Sequence, residues 1–183
     1  EAWIKLNAYS TNGNPIVAMQ PDLQPSFWSF NVGSDGILRW SGRLAGSSGT
    51  YNCCVPLNQW THVAWTRSSG TNYLFVNGIL SNTTVSSYDL TRNANLTIGA
   101  TDYFLYYGMY EFSGYISNLR IIKGTALYTS SFSPPYDAFT AVAGTSLLLN
   151  ASNPNTYITD SSSNNFTMTN VGVTWSNTTP TYM

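Results

Sequence analysis

Aromatic side chains are concentrated in one short stretch of the chain, residues 103–110. The stretch carries Tyr103, Phe104, Tyr106, Tyr107 and Tyr110. A loop is a poor place to bury five aromatic rings, so some should be exposed, where a tyrosine can stack on a sugar ring and its hydroxyl can form a hydrogen bond. Three roles stay open for these tyrosines: a carbohydrate-binding platform, a contact between copies of the chain, and a lid over one sheet.

Two aromatic residues outside this stretch, Trp40 and Tyr51, are further candidates for stacking on a sugar. For each tryptophan of the chain the competing interpretation is burial in the core, because tryptophan is highly buried on average.

Side chains suited to catalysis are sparse. The one histidine, His62, lies inside a predicted strand and is expected to be a structural residue hydrogen-bonded within or at the edge of the fold. Glycoside hydrolysis normally uses two carboxylates about 5–10 Å apart. The only glutamates are Glu1 and Glu111, and no two carboxylates lie within five residues of each other. The sequence therefore predicts a protein that is not an enzyme.

Charged residues make up only 8% of the 183 residues, with seven Lys and Arg against eight Asp and Glu. An ordinary soluble domain has about 25%. No basic stripe is available for phosphate contacts, so nucleic acid is not an expected partner. No apolar run reaches the ~20 residues that cross a bilayer, so membrane insertion is not expected. A surface rich in Ser, Thr, Asn, Gly and Tyr suits an extracellular β-protein.

The elements that must position these residues are β-strands. Residues 55–80 contain two strand-like runs and end in Asn77-Gly78, a strong hairpin signal because a type I′ turn needs positive φ at both central residues. The stretch therefore predicts three antiparallel strands joined by tight turns.

The remaining pattern predicts further strands and no helix. Residues 2–9 alternate with period two, residues 27–32 and 37–41 form a hairpin, residues 42–52 are a Gly/Ser-rich loop, and residues 112–123 form one long strand. The predicted core draws on one set of apolar residues: Trp3, Ile4, Leu6, Val17, Phe30, Leu38, Val63, Trp65, Leu74, Val76, Ile98, Ile116, Leu119 and Ile121.

Three motifs in this order resemble the laminin-G-like domains of the concanavalin A-like lectin/glucanase superfamily. They are PLNQWTHVAWTR with LFVNG in residues 56–78, LTIG in residues 96–99, and FSGYISNLRI in residues 112–121. The resemblance covers roughly residues 2–135. It implies an all-β, two-sheet antiparallel jelly-roll sandwich.

The resemblance also implies a candidate metal site, since several related sandwiches bind Ca²⁺ in loops at one rim. Asp35 in a hairpin loop and Asp102 after the LTIG strand are the candidate ligands, with Asn72 a third. The alternative for Asp35 is that its side chain simply bonds the backbone of its own turn. The glucanase branch places its carboxylates as Glu-x-Asp-x-x-Glu, and this sequence has no such motif.

Residues 120–135 resemble laminin-G-like modules of bacteriophage tail and virion proteins, which are thought to adhere to host surfaces. The predicted function is therefore non-catalytic recognition of a glycan or cell-surface polysaccharide by an adhesin at an extracellular or virion surface, presented in several copies. The alternative is a structural subunit of an extracellular filament or fibre.

The tail, residues 136–183, contains strand-like residues 146–149, a polar turn at residues 160–165, and a predicted hairpin of residues 166–169 and 171–175. In relatives such an LLL…DSS stretch usually opens a domain, whereas here it comes late. Three arrangements stay open. The tail completes the sandwich of residues 1–135, it is donated to a neighbouring subunit as an exchanged strand, or it begins a following module.

Overall fold

The computed structural model describes residues 1–19, 27–42, 48–91, 93–101 and 110–180; within residues 48–53 only Thr50 has a described side chain. Helix is absent from this part of the chain. Its strands are β1 Ala2–Leu6, β2 Asn14–Met19, β3 Trp28–Val32, β4 Ile37–Gly42, β5 Ser48–Cys54, β6 Thr61–Ser68, β7 Thr71–Val76, β8 Ile79–Val85, β9 Leu96–Ile98, β10 Ala100–Thr101, β11 Tyr110–Glu111, β12 Gly114–Ser117, β13 Leu119–Ile122 and β14 Thr145–Leu149.

Two five-stranded sheets make up the body of the fold. The first sheet has the order β12-β1-β6-β7-β8, and the second sheet has the order β5-β4-β3-β2-β9. Neighbouring strands in both sheets are antiparallel. Apolar residues of both sheets form one common core, so the sheets pack face to face as in a β-sandwich. The predicted all-β sandwich is confirmed.

The central meander is formed as the sequence predicts. Strands β6, β7 and β8 pair in succession, and the turn between β7 and β8 has φ values of 49° at Asn77 and 75° at Gly78. Gly78 meets a second constraint, because a Cβ built there would lie 1.9 Å from the carbonyl oxygen of Phe132. The turn and the close approach of residue 132 therefore both require glycine.

Most of the predicted core residues are buried, and Trp65, Ile98, Ile116 and Ile121 are partly buried against them. Trp40 and Trp65 stack at the centre, with ring centroids 5.3 Å apart. Trp3 is buried in a second, smaller cluster with Trp60, Phe139 and Leu148. Because neighbouring residues of a strand point to opposite faces, Trp3 packs on the side of the first sheet that faces away from the sandwich core.

Two predicted elements within residues 1–135 were wrong. Residues 112–123 do not form one strand, because Asn118 has a φ of 50° and divides the run into β12, which pairs with β1, and β13, which pairs with β14. Residues 42–52 are not all loop, because β5 forms an edge strand on β4. Backbone pairing with a neighbour overrides the low strand propensity of this Gly/Ser-rich run.

The tail packs within the same chain. Strand β14 pairs with β13, and Leu147 and Leu149 enter the main core while Leu148 enters the smaller cluster. The predicted hairpin of residues 166–175 is absent from the described structure. In place of a hairpin, the chain bends at residues 170–173. The bend is stabilised by Asn170, whose Oδ1 accepts a hydrogen bond from the amide of Val173 at 2.9 Å and whose Nδ2 donates to the carbonyl of Val173.

A segment without regular structure, residues 123–140, lies across the outer face of the first sheet; we call it the covering segment. Phe132 makes edge contacts with His62 and Phe75, at centroid distances of 5.6 and 5.2 Å. The indole Nε1 of Trp3 donates to the carbonyl of Pro135 at 3.1 Å. These contacts bury the centre of that face.

Candidate functional site

The outer face of the second sheet presents short polar side chains. Phe30 and Trp40 point into the core, so Ser29, Asn31 and Ser41, their neighbours along β3 and β4, point outward. Ser29 and Ser41 are cross-strand partners. Their hydroxyl oxygens are 2.9 Å apart, and Nδ2 of Asn31 donates to the Ser29 hydroxyl at 2.8 Å. The three side chains form a hydrogen-bonded ladder across two strands.

This ladder is part of an open cleft with a volume of about 370 Å³. The cleft combines hydroxyl and carboxamide groups with a proline and two aromatic rings, and no charged side chain is among its described lining residues. They are Asn12, Gly13, Asn14, Pro15, Phe27, Ser29, Asn31, Ser41, Thr101 and Tyr110.

The turn into β2 forms one wall of the cleft. Asn14 is completely buried, and its Oδ1 accepts hydrogen bonds from the Ser10 hydroxyl and the Ser113 amide, each at 3.1 Å. Gly13 has a φ of 88°, and a Cβ there would lie 3.2 Å from the carbonyl oxygen of Val32. Contacts with β3 and with residue 113 therefore fix the position of this wall within the protein itself.

A further part of the lining comes from the pair of short strands β10 and β11. Thr101 and Tyr110 are register partners in this pair, and both line the cleft. Residues 102–109 connect them and lie outside the described residues. Phe27 completes the lining, and its carbonyl accepts a hydrogen bond from the hydroxyl of Tyr88 at 3.0 Å.

The predicted sugar-stacking residues lie in different parts of the structure. Tyr110 lines the cleft. Tyr103, Tyr106 and Tyr107 lie outside the described residues, and so does the side chain of Tyr51, although the backbone of residue 51 is in β5. Trp40 is only 1% exposed and stacks on Trp65. Trp40 is therefore a core residue and offers no face to a ligand.

The predicted calcium ligands do not form a site in the described residues. Both carboxylate oxygens of Asp35 bond to the guanidinium of Arg39, and Oδ1 also accepts the amide of Ile37. The hydrogen bonds from Arg39 are the main cause that lowers the pKa of Asp35 to about 2. In this structure Asp35 makes the turn-stabilising bond to the amide of Ile37, in addition to its ion pair with Arg39. Asp102 lies outside the described residues.

No other group of acidic, histidine or cysteine side chains in the described part of the chain could hold a metal ion. Asn72, the third candidate ligand, is buried and structural: its Oδ1 accepts from the Trp65 indole at 3.1 Å and its Nδ2 donates to the carbonyl of Thr84.

One group of charged and titratable residues on the outer face of the first sheet is buried: Glu1, His62 and Arg120. Oε1 of Glu1 accepts hydrogen bonds from Arg120, and Oε2 accepts from the hydroxyl of Tyr128 and lies 3.0 Å from Nε2 of His62. Burial raises the pKa of Glu1, but the bonds from His62 and Arg120 together with the nearby ammonium outweigh it and lower the pKa to about 2. Burial lowers the pKa of His62. His62 is structural, as its position in the sequence predicted.

The sequence reasoning missed the ladder of Ser29, Asn31 and Ser41. The signal was present, because the predicted hairpin of residues 27–41 alternates polar and apolar residues with period two. Short polar side chains on a strand are usually solvated surface, however, and only the walls contributed by residues 12–15, 101 and 110 turn this face into a cleft.

The fold and the cleft can now be compared with known proteins. Residues 1–131 match the laminin-G-type family of the concanavalin A-like lectin/glucanases superfamily, and the chain belongs to this superfamily. No curated protein matches the chain. The described residues include no helix long and apolar enough to cross a membrane.

A solved structure from Bacteroides ovatus, provisionally described as a carbohydrate-binding protein, has a similar fold, with a TM-score of 0.62 and 20% sequence identity. The match covers 82% of this chain and 44% of that protein, so the chain spans less than half the length of its structural relative. At this level of identity the match shows the shared fold alone.

Proposed function

We propose that this domain recognises carbohydrate without chemically altering it, and that the cleft on the outer face of the second sheet is the binding site. One observation carries the proposal: the cleft joins the hydroxyl–carboxamide ladder of Ser29, Asn31 and Ser41 to the ring of Tyr110 in one open concavity. Sugars need this combination, because their hydroxyls exchange hydrogen bonds while their C–H faces stack on aromatic rings.

The tyrosine-rich stretch keeps its predicted role in this proposal. Tyr103, Tyr106 and Tyr107 stay predicted sugar-stacking residues, because in the sequence they fall between Thr101 and Tyr110, which both line the cleft. The superfamily membership and the structural relative favour carbohydrate as the ligand class.

The non-catalytic part of the proposal rests on the carboxylates. Glycoside hydrolysis needs two carboxyl groups able to reach the substrate. Glu1, Asp35 and Asp160 are each occupied by internal hydrogen-bond donors, and none of them lines the cleft.

The setting we propose is an adhesin at an extracellular or virion surface. A single open cleft of this size has few contacts with a sugar, so binding by one copy should be weak. Several copies on one particle would convert weak single-site binding into avidity, which makes a homo-oligomer or fibre the expected form of the protein.

The test is a glycan array followed by titration calorimetry with the purified chain. The variants Asn31→Ala and Tyr110→Ala should each weaken binding about three- to tenfold, the loss expected for one hydrogen bond or one stacking contact. Tyr136→Ala serves as the matched control, because Tyr136 is half exposed on the covering segment at the opposite side of the sandwich. Binding should persist in the presence of a chelator if Asp35 stays paired with Arg39.

Two results would overturn the proposal: an absence of glycan binding by the wild-type chain, or binding that Asn31→Ala and Tyr110→Ala leave unchanged. Loss of binding in chelator would instead restore calcium as a cofactor and point to Asp102.

A second function is favoured by a separate observation in the tail. Val171, Val173 and Trp175 alternate along an unpaired segment and are 77%, 52% and 37% exposed. In this alternative the chain is a structural subunit of an extracellular filament or fibre, and these side chains pack on a neighbouring copy. Fibres or concentration-dependent oligomers that Val171→Ser and Val173→Ser abolish would support it, and a monomer at all concentrations would overturn it.

A further inference from the structure

The charge distribution around the cleft narrows the class of glycan that it can bind; this inference rests on the proposed function. The described lining offers only hydroxyl, carboxamide, proline and aromatic groups. A carboxylated or sulfated sugar would lose part of its hydration in such a cleft, and burial of a charge without a partner is costly. A neutral sugar has no such cost.

Among the described residues, one cation, Arg39, lies next to the ladder. It is the cross-strand partner of Asn31 and precedes Ser41 by two residues on β4, so all three belong to the outer face of the second sheet. Cross-strand neighbours have Cβ atoms about 5 Å apart. A long arginine side chain starting there could reach an anionic ligand in the cleft if nothing else held it.

The guanidinium of Arg39 is, however, already held. Its Nη1 donates to Oδ1 of Asp35 at 2.6 Å and to the carbonyl of Ile37 at 3.2 Å, and its Nη2 donates to Oδ2 of Asp35. This fork-to-fork geometry is the stronger and more directional kind of ion pair.

Gly33 makes room for the pair. A Cβ built at Gly33 would lie 1.7 Å from Nη1 of Arg39 and 2.6 Å from Oδ1 of Asp35. The turn between β3 and β4 thus directs the guanidinium over its own backbone and away from Ser41, which is at the other end of β4.

We infer that the cleft binds an uncharged stretch of glycan, and that the ion pair between Asp35 and Arg39 determines this specificity by withholding the neighbouring cation from acidic sugars. Asp35 then acts as a positioning residue for Arg39.

The experiment compares neutral polysaccharides (dextran, yeast mannan and galactomannan) with acidic ones (polygalacturonate, alginate and hyaluronate) by affinity electrophoresis and calorimetry at low salt. The wild-type chain should bind at least one neutral polymer, and it should bind each acidic polymer about tenfold more weakly or worse. Asp35→Asn should bind an acidic polymer about three- to tenfold more tightly than wild type, because one cation is released near the cleft in a solvent-exposed setting. The gain should disappear at high salt.

Two controls separate a local effect from a change in net charge. Asp137→Asn changes the net charge equally but lies on the covering segment, so it should gain nothing. The double variant Asp35→Asn/Arg39→Gln should lose the gain, because it lacks the released cation. Neutral-polymer binding by Asp35→Asn should stay within about twofold of wild type, which also reports that the hairpin is folded.

The outcomes distinguish this inference from the proposed function. Tight binding of acidic polymers by the wild-type chain, weakened by Asn31→Ala, would overturn the inference and leave the proposed function standing. Failure of Asp35→Asn to gain acidic binding would overturn the role of the ion pair. Absence of binding to any polymer would overturn the proposed function and this inference with it.

Discussion

On both outer faces of the sandwich, every second residue of a strand points away from the core. One of these faces is covered by another segment of the chain, and the other forms a cleft. On the first sheet, Trp3, His62 and Phe75 point outward and are buried beneath the covering segment. On the second sheet, Ser29, Asn31 and Ser41 point outward and line an open cleft. Large aromatic side chains gain by being covered, whereas these short polar side chains form hydrogen bonds with one another, and Ser29 is only 4% exposed.

The covered face also shows how a charge is accommodated in a protein interior. Glu1 and Arg120 are nearly inaccessible, yet every oxygen of the carboxylate has a donor, and Nη1 of Arg120 donates to the carbonyl of Thr140 at 2.7 Å. The guanidinium also lies 4.9 Å from the ring of Phe139. The open face contains no titratable group of this kind among its described lining residues. The first face should therefore control stability, and the second should control binding.

The largest effect should come from removal of the tail. A chain ending at Pro135 lacks β14 and loses Leu147, Leu148 and Leu149 from both apolar clusters. Each buried leucine contributes roughly 2–5 kcal/mol, and domains are typically stable by only about 5–15 kcal/mol. We expect the truncated chain to have no cooperative unfolding transition in circular dichroism. A folded truncated chain would mean that the tail is a separate module, and rescue by an added peptide of residues 145–175 would indicate strand donation.

The next largest effect should come from Arg120→Ala on the covered face. The variant leaves the Glu1 carboxylate buried without its cation, which costs about 3–5 kcal/mol. Urea unfolding measures the loss of stability. Lys123→Ala is the control, because Lys123 is an exposed cation three residues after Arg120. Glycan binding by the folded protein should be unchanged, because the cleft lies on the other sheet. A loss below about 1 kcal/mol would show that this network is solvated.

Acid should weaken the covered face and leave the open face unaffected. The pKa of His62 is lowered in the folded state, so the unfolded state binds the proton more tightly, and stability should fall as the pH drops below about 6.5. The pKa of Glu1 is lowered to about 2, so a further loss, on the order of 3 kcal/mol, should appear as the pH falls from about 4.5 towards 2.

Urea unfolding at a series of pH values measures this dependence. His62→Gln should remove the decrease between pH 7 and pH 5 and leave the decrease at lower pH. Binding by the folded protein should not vary between pH 5 and pH 8. Stability that rises on acidification would contradict the buried, neutral state of His62.

The smallest effect on stability should come from Asn31→Ala on the open face. Asn31 is partly exposed and only its bonds to Ser29 and Ser41 are lost, so the free energy of unfolding should change by less than about 1 kcal/mol. The same variant should weaken glycan binding several-fold. A large loss of stability with unchanged binding would mean that the ladder is structural, and the two faces would then not differ in the way proposed.

Local pattern was sufficient to predict the meander and most of the core. Asn77-Gly78 is a turn in any context because positive φ at both positions is encoded by the two residues themselves. The division of residues 112–123 at Asn118 was not predictable in the same way, since the left-handed conformation of one asparagine depends on the two different partners of β12 and β13. Strand β5 was missed because its stability comes from pairing with β4 rather than from its own residues.

The residues of the candidate site also differ in how far the sequence could predict their roles. The sequence predicted Tyr110 as a candidate, and it lines the cleft; aromatic rings crowded into one short stretch are visible without a structure. It could not tell that Trp40 is a core residue, because an alternating strand pattern does not say which of its two faces is inside. It also could not tell that Asp35 is paired, because the choice between a metal and Arg39 depends on where the guanidinium lies in the folded hairpin.

The amino-acid sequence by itself determined the class of fold, the scarcity of charge and the poverty of catalytic groups, because these follow from composition, period and turn chemistry within short segments. Only the tertiary structure decided which outer face is covered and which is open. That choice depends on contacts between residues far apart in the chain. The covering segment contacts His62 and Phe75, and the cleft brings residues 12–15, Thr101 and Tyr110 to the same strands. Long-range packing of this kind leaves no signature in any one stretch of sequence.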